Sequence, residues 1–180
     1  MRVTRSVKVW GRFDMLEQSI CLRLNRAGRH VAIRRLFATV SRLGDGSIWC
    51  VLMLTFALSS EAGAHVAAQM SVSALCGLAL YSQLKRRPVR ERPYISHAAI
   101  ELGTAPLDRY SFPSGHTLHA VGFTTIAITH VPELGFVLVP FALLVAASRV
   151  VLGLHYPTDV AAGALLGYLL GIVTLALMPA

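Results

Sequence analysis

The chain has 180 residues, of which 54% are hydrophobic and 14% are charged, and its formal net charge is +8. With a mean hydropathy of +0.58, this composition argues against an ordinary soluble domain and indicates a single-domain membrane protein. Three widely spaced cysteines, Cys21, Cys50 and Cys76, form neither a disulfide framework nor a zinc pattern. We expect Cys50 and Cys76 to be small buried residues. Anionic lipid head groups and phosphate suit the basic charge better than nucleic acid does.

The N-terminal region is too charged to cross hydrocarbon, because its arginines would be costly there. Between residues 9 and 42, apolar side chains recur at spacings of three and four, including Leu16, Ile20, Leu24 and Val31. This spacing predicts an amphipathic helix lying in the membrane interface and broken near Gly28. The stretch SRLGDGSIW that follows predicts a glycine-rich turn with Trp49 at the interface.

Five uncharged runs predict the membrane-crossing part. Since a spanning helix needs roughly 20 residues, the runs at 62–84, 110–132 and 160–180 are long enough, whereas 46–60 and 134–148 are marginal. Backbone groups in hydrocarbon must be satisfied internally, so each run should be helical. The predicted fold is therefore an all-α integral membrane bundle of about five transmembrane helices. It divides into a basic amphipathic interfacial segment, 1–46, and a membrane-embedded domain, 47–180.

The placement of charge predicts that the polar segments share one membrane face. Ten of the 17 Lys and Arg residues precede residue 47, six lie between Lys85 and Arg109, and the last is Arg149. With five spans, these three regions fall on one side, and Glu61 and Glu133 fall on the other. Any chemistry that these segments carry could therefore converge at one end of the bundle.

Two polar segments stand before the third apolar run. The stretch KRRPVRERP separates Lys85 from Arg92 by six residues, and an ammonium with a guanidinium fork is a common pair for phosphate oxygens. The stretch PSGH then offers Ser114 as a helix cap, Gly115 for close backbone approach and His116 in the first turn, which suits an anion site. Alone, either segment is a weak signal, since basic loops and plain helix caps are common.

A third polar segment, SRVVLGLHYPTD, interrupts the apolar C-terminal region. Arg149 closes the fourth run, and Asp159 opens the fifth four residues after His155. At that spacing the carboxylate could reach one imidazole nitrogen, fix the tautomer and leave the other nitrogen free to attack. A structural His–Asp pair at a helix start is the alternative, and for the pair in isolation it is the stronger one.

Taken together, the three segments match the ordered motifs K-x6-R-P, P-S-G-H and S-R-x5-H-x3-D over residues 85–159. This set closely resembles the type 2 phosphatidic acid phosphatases, the superfamily shared with vanadium-dependent haloperoxidases and bacterial acid phosphatases. The resemblance implies a membrane lipid phosphatase that hydrolyses a lipid phosphomonoester or diphosphate. Substrates in view are phosphatidic acid, phosphatidylglycerophosphate, a polyprenyl diphosphate such as undecaprenyl diphosphate, and phosphorylated lipid A.

The resemblance also implies roles for the motif residues. His155 would be the nucleophile that forms a phosphohistidine, Asp159 would orient it, and His116 would be the general acid. The phosphate would be held by Lys85, Arg92, Ser114, Gly115 and Arg149. No cofactor is implied, and Asp108, Glu101 and Glu91 are too scattered in the sequence to suggest a metal site. A lipid phosphotransferase with the same intermediate and a non-enzymatic membrane protein remain alternatives.

Sidedness is predicted by two arguments that disagree. The positive-inside rule places the N-terminal basic residues and the loop with Arg86, Arg87 and Arg90 in the cytoplasm. The resemblance implies the opposite for many bacterial relatives, which work on the periplasmic face. Many membrane members have six spanning helices, and here the first would be the charged N-terminal segment. We therefore predict a multi-pass protein of a bacterial inner membrane with its active site on the cytoplasmic face.

Overall fold

The computed structural model describes residues 3–85, 90–106 and 108–179, with side chains from residue 15 onward. Arg86, Arg87 and the side chain of Phe13 therefore lie outside the described residues. Within the described residues the regular secondary structure is all helical, apart from an isolated bridge between Glu91 and Tyr110, and loops connect the helices. The predicted all-α fold is confirmed. The helices are α1 (Val3–Ala27), α2 (Val31–Arg42), α3 (Ile48–Ser59), α4 (Glu61–Lys85), α5 (Pro93–Ser96), α6 (Gly115–His130), α7 (Gly135–Val151) and α8 (Pro157–Leu177).

The N-terminal region forms two helices that are interrupted at residues 28–30, where the sequence predicted a break. The apolar face of α1, with Leu16, Ile20 and Leu24, is exposed, as expected for a helix at a membrane surface. The buried face is a different one and carries Glu17, Cys21 and Asn25. These side chains are spaced four apart, so they form one stripe that packs against the rest of the chain.

That stripe attaches α1 to the loops after α5 and α7. The Asn25 amide donates hydrogen bonds to the backbone oxygens of Val151, at 3.0 Å, and Glu101, at 2.9 Å. Cys21 packs in a small core with Ile100, Val150 and Tyr156, and burial raises the pKa of its thiol to about 12. The N-terminal segment is therefore in direct contact with the membrane domain.

Residues between α2 and α3 form a kinked π-helical turn, Leu43–Ser47, in which Asp45 and Gly46 leave helical geometry. Trp49 follows this turn, and the prediction that it lies at the interface is wrong. Its side chain is 1% exposed and packs against Phe123 and Phe141, while its indole N–H donates to the Gly44 carbonyl at 3.2 Å. A buried indole N–H needs a partner, and the Gly44 carbonyl in the kinked turn supplies it.

The five predicted apolar runs correspond to α3, α4, α6, α7 and α8. Among the described residues, three segments are long and apolar enough to cross a membrane, namely Glu61–Lys85, Pro132–Val151 and Pro157–Leu177. Helix α6 is shorter than the predicted run 110–132, because the backbone stays non-helical up to Ser114, which follows Pro113. Helix α3 has 12 residues, so it rises about 18 Å.

A stripe of glycines lets α8 lie unusually close to α6. Gly163, Gly167 and Gly171 are four residues apart on one face of α8, and a Cβ at Gly163 would lie 2.5 Å from the Ser114 carbonyl oxygen. Small residues at this spacing allow close backbone approach between membrane helices. Outside this contact α7 and α8 expose large apolar side chains, as expected where lipid is the solvent: Phe136, Leu143, Leu165, Leu169 and Leu177.

The prediction that Cys50 and Cys76 are buried is wrong. Cys50 and Cys76 are exposed, and Cys21 is the buried cysteine. In a membrane protein an apolar residue can face lipid as readily as the core, so hydrophobicity alone does not indicate burial.

Candidate active site

The three predicted motif segments meet at one end of the bundle. Lys85 ends α4 and Arg92 precedes α5, while Ser114 precedes α6 and Arg149 lies in the last turn of α7. His155 lies in the loop between α7 and α8, and Asp159 is in the first turn of α8. Arg92, Ser114, Arg149, His155 and Asp159 are all buried. Residues that span 75 positions of sequence, from 85 to 159, are thus gathered into one polar cluster.

The imidazole of His155 is held by a hydrogen bond at each nitrogen. Nδ1 lies 2.6 Å from the carbonyl oxygen of Ser111, and Nε2 lies 3.2 Å from a terminal nitrogen of Arg92. A carbonyl only accepts and a guanidinium only donates, so Nδ1 carries the proton and Nε2 presents a lone pair. Burial, followed by the positive charges of Arg149, Arg92 and Lys85, holds the pKa of His155 well below its usual value. A neutral ring with an unprotonated Nε2 is the form that can attack phosphorus.

Asp159 does not make the direct hydrogen bond to His155 that the four-residue spacing predicts. Its Oδ2 lies 4.0 Å from Nδ1, and the Ser111 carbonyl takes the place expected for the carboxylate. Oδ2 instead accepts the backbone N–H of Tyr156 at 2.8 Å. Asp159 therefore fixes the backbone beside His155 and supplies a nearby negative charge, and the tautomer is set by Ser111.

Arg90 gives Asp159 its nearest cation. A terminal nitrogen of its guanidinium lies 3.6 Å from Asp159 Oδ1, and the other lies 2.6 Å from Glu17 of α1. Burial opposes the charge on Glu17, but hydrogen bonds from Thr158 and Arg90 outweigh it and lower the pKa of this carboxyl. The basic loop indicates only a topology role for Arg90, yet this side chain connects α1 to the first turn of α8.

Asp108 binds two of the three cations that the sequence predicts to hold phosphate. Its Oδ1 lies 2.8 Å from the Lys85 ammonium and 3.0 Å from the Arg92 guanidinium. Burial would raise the pKa of Asp108, but Lys85, Tyr81 and Arg92 together lower it. Asp108 lies outside the three motifs, so this role could not be predicted from the sequence. Asp108 holds the ammonium and the guanidinium side by side, as phosphate binding requires.

Arg149, the third cation, is oriented by a residue of α2. It donates to the hydroxyl of Ser41 in α2, and its Nε is buried without a hydrogen-bond partner among the described residues. An unsatisfied buried donor is costly, so this nitrogen is available for an anionic ligand.

The PSGH stretch lies beside these cations. Ser114 is at the predicted cap position, but its hydroxyl pairs with Thr117 at 2.9 Å and does not cap the helix. Gly115 lies against the ring of Tyr81, and a Cβ there would be 2.9 Å from that ring. His116 Nε2 lies 3.1 Å from a carboxylate oxygen of Asp45. No motif spacing could identify Asp45, since it comes from the kink between α2 and α3.

A largely apolar cavity of about 360 Å³ opens beside His116. It runs between α3, α4 and α6, and its polar end is formed by Asp45 and His116. His119 also borders it and stacks on Phe123. The remaining lining includes Met53, Ala74 and Leu78. Within the described residues, no group of three or more His, Cys, Asp or Glu side chains could hold a metal ion.

The sequence profile of a known family, the PAP2 superfamily, matches residues 62–180. The chain belongs to the PAP2 superfamily. Decaprenylphosphoryl-5-phosphoribose phosphatase of Mycolicibacterium smegmatis is 34% identical over 127 residues, which cover 69% of this chain and 67% of that protein. Undecaprenyl-diphosphatase of Sulfolobus acidocaldarius is 30% identical over 137 residues, covering 73% and 64%.

Two solved structures share the fold. LpxE of Aquifex aeolicus superposes with a TM-score of 0.74 at 27% identity, covering 86% of this chain and 92% of LpxE. A transmembrane PAP2-type phosphatidylglycerolphosphate phosphatase of Bacillus subtilis superposes with a TM-score of 0.61 at 25% identity, covering 95% and 94%. The chain is thus an integral membrane phosphatase of the PAP2 superfamily, and the expected class of enzyme and fold is confirmed.

Proposed function

We propose that the chain hydrolyses a lipid phosphate through a phosphohistidine formed on His155. The observation that carries this proposal is the state of the His155 ring, whose Nδ1 is held by the Ser111 carbonyl at 2.6 Å while Nε2 faces the cation cluster. Nε2 attacks phosphorus as the bond to the leaving oxygen breaks, and His116 gives that oxygen a proton. His116 then takes a proton from the water that cleaves the phosphorus–nitrogen bond and releases phosphate.

The transferred phosphoryl group is stabilised by fixed positive charge. Lys85, Arg92 and Arg149 would bind its equatorial oxygens, together with the Ser114 hydroxyl and the Gly115 N–H. Arg149 has a buried donor without a partner among the described residues, and Lys85 and Arg92 are already adjacent through Asp108. Three such cations can neutralise the developing charge, so we propose a reaction that needs no metal ion.

The first substrates to test are polyprenyl-linked phosphates and diphosphates. Both curated relatives are named for polyprenyl substrates, and the cavity at His116 is largely apolar. The solved relatives, LpxE and a phosphatidylglycerolphosphate phosphatase, keep lipid A phosphates and phosphatidylglycerophosphate in the panel. Purified protein in detergent should release phosphate from at least one of these lipids.

We expect this activity to survive EDTA and to be inhibited by vanadate. The positive charge comes from side chains, and vanadate can adopt the trigonal-bipyramidal shape of the transferring phosphoryl group. Phosphate release from the best lipid would be measured with EDTA, with added Mg²⁺ and with increasing vanadate, at fixed detergent so that metal effects on substrate dispersion are separated. A strict Mg²⁺ requirement of the enzyme itself would contradict the proposed site.

We further propose that the active site faces the cytoplasm and that the end of α8 faces the other side. Arg29, in the turn between α1 and α2, pairs with Glu101 beside the site at 3.1 Å, so this part of the basic N-terminal set lies on the same face as the site. The positive-inside rule then assigns that face to the cytoplasm.

Reporter fusions after Ala180, which is just beyond the described residues, test this topology. Alkaline phosphatase fused there should be active, and a fluorescent protein fused at the N-terminus should fluoresce. Fluorescence of green fluorescent protein fused after Ala180 would place the site on the periplasmic face instead.

A further inference from the structure

Asp45 contacts His116 from a part of the chain that the family match does not include. Its Oδ1 lies 3.1 Å from His116 Nε2, and the matched residues begin at position 62. Among the described residues no other side chain forms an ion pair or hydrogen bond with this ring. The family's motifs assign Asp45 no role.

The backbone of the kink fixes where Asp45 lies. A Cβ at Gly44 would lie 2.7 Å from a methyl group of Val145, so this residue is pressed against α7. Gly46 has φ of 128°, which strongly favours glycine. The Gly44 carbonyl also accepts the Trp49 indole N–H at 3.2 Å. Asp45 therefore lies between two glycines, Gly44 with no room for a side chain and Gly46 with a positive φ.

The end of α2, just before Asp45, also contacts the proposed phosphate site. Ser41, one turn before Asp45, accepts a hydrogen bond from Arg149, and Val145 lies one helical turn before Arg149 in α7. The end of α2 and the kink therefore contact a phosphate cation through Ser41 and the leaving-group acid through Asp45. Both contacts come from residues before the family match.

The charges around His116 indicate how its contact with Asp45 affects protonation of the ring. The His116 side chain is 10% exposed, and this burial opposes a positive charge on it, followed by the guanidiniums of Arg149 and Arg92 and the ring of His119. Tyr81, which packs on Gly115, and Cys50 are titratable groups that line the same cavity. A leaving-group acid must nevertheless be protonated before it acts. Asp45 is the acidic group that contacts the ring and can balance its charge.

We propose that Asp45 is a positioning residue for the leaving-group acid. This inference rests on the proposed function, because that function assigns the acid role to His116. The carboxylate accepts the Nε2–H and leaves Nδ1–H directed at the leaving oxygen. As the phosphorus–oxygen bond breaks, its electron pair stays on oxygen, which takes the Nδ1 proton. Asp45 and His116 also border the apolar cavity, where a hydrophobic leaving alcohol can be accommodated.

The test compares leaving groups in the variant Asp45→Asn. An alkoxide needs protonation, whereas p-nitrophenolate does not. General acids contribute about 10²–10⁴-fold, and kcat of Asp45→Asn on a lipid phosphomonoester should accordingly fall by about 10- to 100-fold. With p-nitrophenyl phosphate kcat should fall less than about threefold. The alkaline limb of kcat with the lipid substrate should move to lower pH, because the variant loses the negative charge that stabilises protonated His116.

Two further variants separate the possible outcomes. Glu101→Gln removes an exposed carboxylate that pairs with Arg29 on the same face, and it should match wild type on both substrates. In a His116→Ala background, Asp45→Asn should cost nothing more, since residues that act as a unit are not additive. Equal losses on both substrates with an unmoved pH profile would overturn the positioning role. If His116→Ala itself leaves lipid turnover unchanged, the proposed acid is wrong, and that outcome is distinct from a failure of Asp45 alone.

Discussion

Replacing His155 with alanine is expected to abolish both phosphate release and phosphoenzyme formation. The ring is buried, neutral and held by Ser111 with Nε2 facing Arg92, and no water could take its place with the same alignment. Loss of a nucleophile costs on the order of 10⁴-fold or more in kcat. Turnover would be measured on the best lipid phosphate, and the intermediate would be trapped with ³²P-labelled substrate in alkaline detergent, where phosphohistidine survives.

His30→Ala is the matched control. His30 is exposed at the junction of α1 and α2 and lies outside the site, so its variant should retain wild-type turnover and labelling. Both variants should elute alike in size-exclusion chromatography, which separates a chemical defect from misfolding. Retention of more than about 1% of activity in His155→Ala would exceed what a missing nucleophile allows and would disprove the phosphohistidine proposal.

The convergence of the motif segments could be predicted because charge is scarce in this chain. Between residues 110 and 180 only Glu133, Arg149 and Asp159 are charged, and a buried ion in a membrane protein needs a partner or a ligand. The basic segments fell on one predicted face, and the structure brings Lys85, Arg92 and Arg149 to one end of the bundle. The motif roles remain predictions until the variants are tested.

The supporting residues could not be predicted, because their contacts join distant segments with no periodic relation. Asp108 contacts Lys85 across 23 positions, and Glu17 contacts Arg90 across 73. Asp45 depends on a kink whose direction is set by packing on Val145. The tautomer of His155 is fixed by a backbone carbonyl at Ser111, and backbone groups leave no signature in side-chain spacing.

The sequence pattern also could not predict which residues are buried inside the bundle. Trp49 is buried against Phe123 and Phe141, whereas Cys50 in the next position is exposed. Both sides of a membrane helix are apolar, so the pattern that separates core from surface in a soluble helix is missing. The predicted division of the chain into residues 1–46 and 47–180 also left out contacts that cross it. Ser41 and Asp45 lie before it yet contact Arg149 and His116.

The close contact of α6 and α8 predicts the largest loss of stability. A Cβ at Gly167 would meet the backbone carbonyl of Leu118 well inside the 3.0 Å that real Cβ atoms keep. A carbonyl of a helix cannot rotate away as a flexible side chain can, so α6 and α8 must separate. Overpacking of this kind costs about 1–3 kcal/mol, although alanine by itself favours a helix interior by about 1 kcal/mol over glycine.

Gly167→Ala should therefore lower the melting temperature of the purified protein in detergent by up to roughly 8 °C, since the net cost is at most about 2 kcal/mol and 1 kcal/mol shifts the melting temperature by about 2–4 °C at this size. Turnover should fall as well, because α6 carries His116 while α8 carries Asp159. Gly135→Ala is the matched control, as its nearest neighbour would be a methyl group of Ile128 at 3.8 Å, an ordinary contact. If Gly167→Ala melts at or above the wild-type temperature, the helix propensity of alanine has prevailed and the glycine stripe does not set the spacing on which the site depends.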